Sequence, residues 1–292
     1  MKGIIDSLFK KADVGCSVET LTDCQPPECI YKNFEPADGV YLKFKREGRR
    51  PFYGWFSKAQ SPDRPILVVS PGYGAEIYSF PKELTECFNV LSVSPLGYYT
   101  PDGPDESLRV KGAWPVLFNT VFGVGETYDD WMADVIAAVD WVGNNTDADG
   151  ESLVFYGTSQ GGGMSLNLGA VFGRRTKAIC SDEPFLIGFS SVQLDRVIGF
   201  SAGGYENPII SYNAAAKRLE AADPLCYADY IKCPVLLGAG ELDDQCEPKF
   251  IEMIYDKLSC EKKYVLFENR AHGYNERFYL AAKEWLKGLN LM

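Results

Sequence analysis

Ser159 lies in the pentapeptide Gly157-Thr158-Ser159-Gln160-Gly161, after the strand-like run Leu153-Val154-Phe155-Tyr156 and before Gly162-Gly163 and a helix-like stretch. A serine on so sharp a strand-to-helix turn is held in a strained conformation with its hydroxyl lifted clear of the sheet, where it can attack a carbonyl carbon. The attack needs a base, and the chain of 292 residues has one histidine, His272, just after the apolar run Tyr264-Val265-Leu266-Phe267. An imidazole base in turn needs a fixed carboxylate that orients it and stabilises its charged form. Asp243 and Asp244 stand side by side after the run Val235-Leu236-Leu237, and Asp182 follows another run, Ala178-Ile179-Cys180. Asp243 is the favoured acid and Asp244 the alternative, while Asp182 reads better as a carboxylate that anchors or caps a loop. Together these residue types allow metal-free acyl transfer, with Ser159 as nucleophile and His272 first as base, then as acid toward the leaving alcohol.

Such a reaction passes through an oxyanion, which two backbone N–H groups must hold. Gln160, next after the nucleophile at a helix N-terminus, supplies one. The turn Gly72-Tyr73-Gly74, after the run Pro65-Ile66-Leu67-Val68-Val69, supplies the other around Tyr73, with glycine on both sides letting the backbone approach the substrate. Gly157 and Gly161 fit the same picture, because side chains there would collide with the neighbouring strand and helix.

The elements that must position these residues are legible as alternating runs. Val40-Tyr41-Leu42-Lys43-Phe44 and Pro51-Phe52-Tyr53-Gly54-Trp55-Phe56, separated by Glu47-Gly48, predict an antiparallel hairpin. The first forty residues predict a helix and an irregular arm packed on the domain. Buried strands are expected over 65–69, 90–93, 153–156, 178–180, 234–239 and 263–268. Helices are expected over 80–88, 128–142, 164–172, 248–258 and 275–288. In the helix over 128–142, Trp131, Val135, Ala138, Val139 and Val142 recur at helical spacing. Residues 94–126 read as a long functional loop. Residues 185–230 interrupt the alternation and read as a cap-like insertion over the site. Strands alternating with helices mean a mostly parallel sheet covered on both faces, an α/β chain forming one domain over 1–292. The order Ser…Asp…His, each after a strand, is that of the α/β-hydrolase fold.

Composition bounds the partners. A formal charge of −11 excludes nucleic acid and an anionic membrane surface, both of which need clustered Lys and Arg. The start of the chain, Met1-Lys2-Gly3-Ile4-Ile5-Asp6, shows neither a signal peptide nor a membrane span. Nine cysteines without a Cys-x-x-Cys, beside a single histidine, suit reduced thiols in a cytoplasmic protein better than a zinc site. Cys16, Cys24 and Cys29 would bridge only in an exported chain.

Several segments resemble the acetyl xylan esterase / cephalosporin C deacetylase family of α/β-hydrolases, from about Tyr128 to His272. Gly157-Thr158-Ser159-Gln160-Gly161-Gly162-Gly163 is similar to that family's Gly-x-Ser-Gln-Gly-Gly elbow, and Ser181-Asp182-Glu183-Pro184-Phe185-Leu186 to the segment after its sixth strand. Cys233-Pro234-Val235-Leu236-Leu237-Gly238 with Leu242-Asp243-Asp244-Gln245-Cys246-Glu247-Pro248 resembles its strand and acid loop, and Pro71-Gly72-Tyr73-Gly74 its first oxyanion segment. The resemblance implies Asp243 as the acid, three residues before Cys246, and the N–H of Tyr73 as an oxyanion donor. It also implies removal of acetyl groups from sugars and small esters, no cofactor, and cytoplasmic homo-oligomers, often hexamers. Three places depart from the family. Ser94-Pro95-Leu96-Gly97-Tyr98 replaces its Arg-Gly-Gln, Glu247-Pro248 replaces paired prolines, and Gly273-Tyr274 replaces an acidic residue and glycine after the histidine. The expected function is a serine carboxylesterase for short acyl esters, with a peptidase or dienelactone-type hydrolase, or a silent binding module, as the rivals. Tyr73, Tyr78, Tyr98, Tyr99, Trp114, Phe185 and Tyr205 are candidates for the pocket mouth.

Overall fold

A computed structural model describes residues 1–13, 15–109, 114–202 and 211–292. Its strands are β1 (Cys16–Leu21), β2 (Val40–Arg46), β3 (Phe52–Ser57), β4 (Pro65–Ser70), β5 (Asn89–Val93), β6 (Asp149–Thr158), β7 (Thr176–Asp182), β8 (Val235–Gly240) and β9 (Lys262–Phe267). They form one nine-stranded sheet in the order β1-β2-β3-β5-β4-β6-β7-β8-β9. The first three strands and β5 pair antiparallel, whereas the pairs from β5 through β4 to β9 are parallel. Parallel strands lie under helices on both faces, so β4, β7 and β8 are almost wholly buried and read as continuous apolar runs. The edge strand β9 carries Lys262 and Lys263 and is only partly buried, which discourages pairing with another chain.

The helices are α1 (Lys2–Ala12), α2 (Pro115–Phe122), α3 (Tyr128–Asn145), α4 (Gln160–Phe172), α5 (Leu194–Ala202), α6 (Tyr212–Leu219), α7 (Pro224–Tyr227), α8 (Pro248–Lys257) and α9 (Glu276–Gly288). One face of the sheet packs against residues such as Leu8, Trp131, Val135, Met164 and Ile251, from α1, α3, α4 and α8. The other face packs against Tyr31 and Phe80 of the N-terminal region and against Phe278, Ala282 and Leu286 of α9. The α3 helix starts where Thr127 and Asp130 form a capping box, and it buries the predicted stripe from Trp131 to Val142. Every residue of α4 is buried, as expected for the central helix that carries the site.

The sequence reading needs correction in four places. The first forty residues add an edge strand, β1, which the mixed Cys-Ser-Val-Glu-Thr-Leu run hides because one side of it faces solvent. The expected helix over 80–88 is a 3₁₀ turn at Lys82–Glu86. The expected loop over 94–126 contains α2, whose residues from Pro115 to Val121 are all buried, Asn119 and Thr120 included; a helix buried on every side has no amphipathic period to read. The α4 helix starts at Gln160 and not at Met164, because three consecutive glycines mask helical propensity that packing overrides. Among the described residues no helix is long and apolar enough to cross a membrane.

The N-terminal hairpin is tied to α3 through charge. The Arg46 side chain is fully buried, ion-paired with the nearly buried Asp134, and its Nη1 also donates to the Lys11 carbonyl at 3.1 Å. Arg49 and Lys11 bind Asp130 at 2.9 and 2.7 Å. Removing one partner of a buried pair leaves the other charge uncompensated, so Asp134→Ala is expected to lower the unfolding free energy by about 3–5 kcal/mol, measured by urea denaturation.

Candidate active site

The serine stands between β6 and α4 with no intervening residue. Its backbone has φ 59° and ψ −123°, a left-handed conformation that is strained for a residue with a side chain. The surroundings hold it there. The Ser159 N–H donates to the Asp182 carbonyl at 2.9 Å, and the Ser159 carbonyl accepts from the N–H groups of Gly163 and Phe185 at 3.1 and 2.9 Å. The turn is possible only because its neighbours lack side chains. A Cβ on Gly161 would lie 1.9 Å from the Ser70 carbonyl oxygen, and one on Gly157 would lie 2.3 Å from the Gly161 backbone.

His272 reaches the serine from the loop between β9 and α9, with Nε2 3.0 Å from Ser159 Oγ and Nδ1 2.7 Å from Asp243 Oδ2. The other Asp243 oxygen accepts the backbone N–H groups of Gln245 and Cys246, both at 2.8 Å, which fixes the carboxylate within its own loop. Burial opposes the Asp243 charge, but the bonds from His272 and from these amides outweigh it and hold the carboxyl below its ordinary pKa. An ionised carboxylate only accepts, so Nδ1 carries the proton and Nε2 is left to accept from the serine hydroxyl. Burial likewise opposes a charged imidazole, yet the hydrogen bond and charge of Asp243, with Glu183 adding, raise the His272 pKa above its ordinary value.

The alternative acids lie elsewhere. Asp244 is exposed, and its carbonyl accepts from Arg196 at 3.0 Å. Asp182 anchors the elbow through its backbone carbonyl and not through its carboxyl. That carboxyl is fully buried, and burial together with the adjacent Glu183 pushes its pKa well above the ordinary range. Cys246 is buried beside the pair, and one ligand atom from each of Asp243, Cys246 and His272 lies within 4.8 Å of the others. Burial pushes the Cys246 thiol well up, and Asp243 and His272 are hydrogen-bonded to each other.

Of the two amides expected to face an oxyanion, that of Gln160 is the first N–H of α4 and has no partner within the helix. Its side chain is locked beneath the elbow, where Oε1 accepts from the Tyr128 and Tyr98 hydroxyls at 2.8 and 3.3 Å. Tyr73 is the second residue of a turn closed by Ala75 N–H donating to the Gly72 carbonyl at 3.2 Å. Gly74 takes φ +74°, Gly72 N–H donates to the Tyr274 hydroxyl at 3.3 Å, and the Tyr73 hydroxyl accepts from Trp114 N–H at 2.9 Å. Ser159 opens into a cavity of about 240 Å³ walled by Tyr73, Phe185, Phe189, Val197 and Phe200, with Arg196 beside them. A separate cavity of about 330 Å³, between Tyr53, Leu96 and Asp102, does not include the serine. Among the seven candidate aromatics, Tyr73 and Phe185 line the site's cavity. Tyr98 and Tyr99 pack on Trp114, Tyr78 packs on Tyr274, and Tyr205 lies outside the described residues.

The sequence reading missed Glu183. This residue is fully buried with φ 43°, accepts from Arg270 Nε and from Gly273 N–H, each at 2.9 Å, and has Oε2 3.4 Å from His272 Nδ1. The available signal was its place at the carboxyl end of β7, level with the strand ends that carry Ser159 and Asp243, where α/β sheets gather their functional groups.

A family model described as acetyl xylan esterase (AXE1) matches residues 123–289, more than half of the chain. The acetyl esterase Axe7A of Xylanibacter ruminicola is 25% identical over 268 residues, which are 86% of this chain and 59% of that protein. The chain therefore spans 59% of the length of this curated relative. Acetyl xylan esterase 1 from Thermoanaerobacterium sp. JW/SL YS485 has a similar structure, with TM-score 0.76 at 19% identity over 98% of this chain and 93% of that one. The acetyl xylan esterase from Paenibacillus sp. R4 gives 0.71 at 20% over 97% and 92%, and the acylaminoacyl peptidase of Pyrococcus horikoshii 0.65 at 21% over 88% and 42%. The shared architecture is the α/β-hydrolase fold. Since the elbow has no room for a Cβ, Gly161→Ala is expected to lower the unfolding free energy by about 3 kcal/mol or more in denaturant titration, with loss of the native near-UV circular dichroism near the site.

Proposed function

The chain belongs to the acetyl xylan esterase family, and from that membership we propose that it is a serine carboxylesterase that hydrolyses short acyl esters, acetyl esters of carbohydrates foremost. The observation that carries this reading is the continuous hydrogen-bonded chain from Ser159 Oγ through His272 to Asp243, at 3.0 and 2.7 Å.

In the first half-reaction Ser159 Oγ attacks the ester carbonyl carbon while His272 Nε2 takes the hydroxyl proton. The carbonyl π pair moves onto oxygen, and the N–H groups of Tyr73 and Gln160 hold that oxyanion. As it collapses, the ester C–O bond breaks and His272 gives its proton to the leaving alcohol. Water then attacks the acyl carbon while His272 takes its proton; as the second tetrahedral intermediate collapses, the acyl C–Oγ bond breaks and His272 returns that proton to Ser159 Oγ, releasing the carboxylic acid. The fixed Asp243 carboxylate stabilises the imidazolium formed in each half. We read residues 185–230 as a cap within one domain; it supplies Phe189, Val197 and Phe200 to a mainly apolar wall beside the nucleophile. Nine free thiols suit a reducing compartment such as the cytoplasm. A peptidase reading has fold likeness alone behind it.

Ser159→Ala is expected to reduce kcat/KM on p-nitrophenyl acetate by at least about 10⁴-fold without changing the unfolding midpoint; retained turnover would overturn the assignment. Wild type should cleave the acetate ester faster than the octanoate ester and release acetate from acetylated xylose. The base works only as neutral imidazole, and the His272 pKa is raised. Activity should therefore fall, as pH drops, about a midpoint above the ordinary imidazole value of about 6.5. A pH profile of kcat/KM with its midpoint at or below that value would contradict this assignment of the acid limb.

A further inference from the structure

The His272 imidazole faces two buried carboxylates, and the function proposed above employs one of them. Asp243 Oδ2 lies 2.7 Å from Nδ1 and Glu183 Oε2 lies 3.4 Å from the same atom. Both are fully shielded from solvent at the side chain. Glu183 reaches this position from a backbone with φ 43°, a conformation that persists only where its surroundings over-determine it. They do so on every side. Glu183 N–H donates to the Gly238 carbonyl at 3.0 Å, and Arg270 Nε donates to Oε1 at 2.9 Å. The N–H of Gly273, next after the histidine, donates to Oε2 at 2.9 Å. Arg270 also donates to the Gly273 and Tyr274 carbonyls, so the carboxylate and the imidazole loop are bound as one piece.

We propose that Glu183 is a second carboxylate for the His272 imidazole, a positioning residue that stands beside Asp243 at Nδ1–H and accepts that hydrogen bond when Asp243 is removed. This rests on the reading of His272 as the base. Both oxygens lie on the Nδ1 side of the ring, so the histidine needs only a small displacement to exchange one acceptor for the other, and Nε2 stays toward Ser159. Burial raises the Glu183 pKa above its ordinary value, and the Gly273 amide and Arg270 oppose that rise by favouring the carboxylate, which allows two acidic groups to flank one imidazole. The groups facing Glu183 are Asp182 from β7, Asp243 and Cys246 from the loop after β8, and Arg270 and His272 from the loop after β9. Of these, the Glu183 charge also helps to raise the His272 pKa.

The single histidine makes the test direct, because ¹⁵N-histidine labelling gives one imidazole in the NMR spectrum of the whole protein. In Asp243→Ala, with Glu183 untouched, the neutral ring should remain the Nδ1–H tautomer, and it should shift to Nε2–H in Asp243→Ala/Glu183→Gln. Asp243→Ala should lose about 10²-fold in kcat/KM, against the roughly 10⁴-fold expected when an orienting acid is lost with no substitute, and the double variant should lose about 10²-fold more. Glu183→Gln alone should lose less than about 10-fold and shift the acid limb to lower pH, an effect that a purely structural staple would not produce. An Nε2–H ring already in Asp243→Ala would overturn the proposal, and that measurement needs no change at Glu183. Equal kcat/KM for the single Asp243 variant and the double variant would overturn it too. Full activity in His272→Ala would instead remove the base reading itself, so the two failures are distinguishable.

Discussion

The α4 helix meets the ends of β4 and β6 so closely that a methyl group on Gly161 would sit 1.9 Å from the Ser70 carbonyl oxygen. Everything at the site follows from that approach. With no room for a longer connection, Ser159 alone must turn the chain, and it does so at positive φ. The turn exposes its hydroxyl to the imidazole and leaves the first amide of α4 without a helical acceptor. Close packing also transmits order sideways. The Asp182 and Phe185 backbones clamp both ends of the Ser159 residue, so the strand next to the elbow holds Ser159 and carries Glu183 toward the histidine.

Electrostatic balance is the second constraint. Asp182, Glu183 and Asp243 are buried close together, which would be prohibitive if all three were ionised without partners. The structure separates their roles by environment. Asp243 has two amides and the imidazole and stays below its ordinary pKa. Burial raises the Glu183 pKa too, but Arg270 and the Gly273 amide oppose the rise, while burial and its neighbour Glu183 push Asp182 well above the ordinary range, toward the neutral form. One cation and one imidazole thus accompany a cluster that composition alone would present as an acidic patch.

Where the family has Arg-Gly-Gln, this chain has the stretch ending at Tyr98, and the structure shows what stands there. Tyr98 is buried against Trp114 and bonds the Gln160 side chain, as does Tyr128 from α3. The side chain of Gln160, whose amide we propose for the oxyanion, is thereby fixed by phenolic hydroxyls. The Tyr73 turn is braced likewise, by the Tyr274 hydroxyl accepting from Gly72 N–H and by the Tyr73 hydroxyl accepting from the Trp114 backbone N–H. Aromatic hydroxyls suit this task because they combine apolar packing with one directed hydrogen bond.

The sequence by itself determined the alternation of strand and helix, the elbow around Ser159 and the uniqueness of His272, since these depend on local period, glycine placement and residue type. It also ranked Asp243 above Asp244. It hid α2, because a helix buried on all sides has no polar face, and it hid β1, because one edge of that strand faces water. Only the tertiary structure decided which acid meets the imidazole, that Asp182 holds the elbow through its backbone, and that Glu183 stands 3.4 Å from Nδ1. Those facts depend on distances between the ends of β6, β7, β8 and β9, residues that lie up to 113 positions apart in the chain. Only the parallel register of the folded sheet brings those ends level, and no local pattern encodes it.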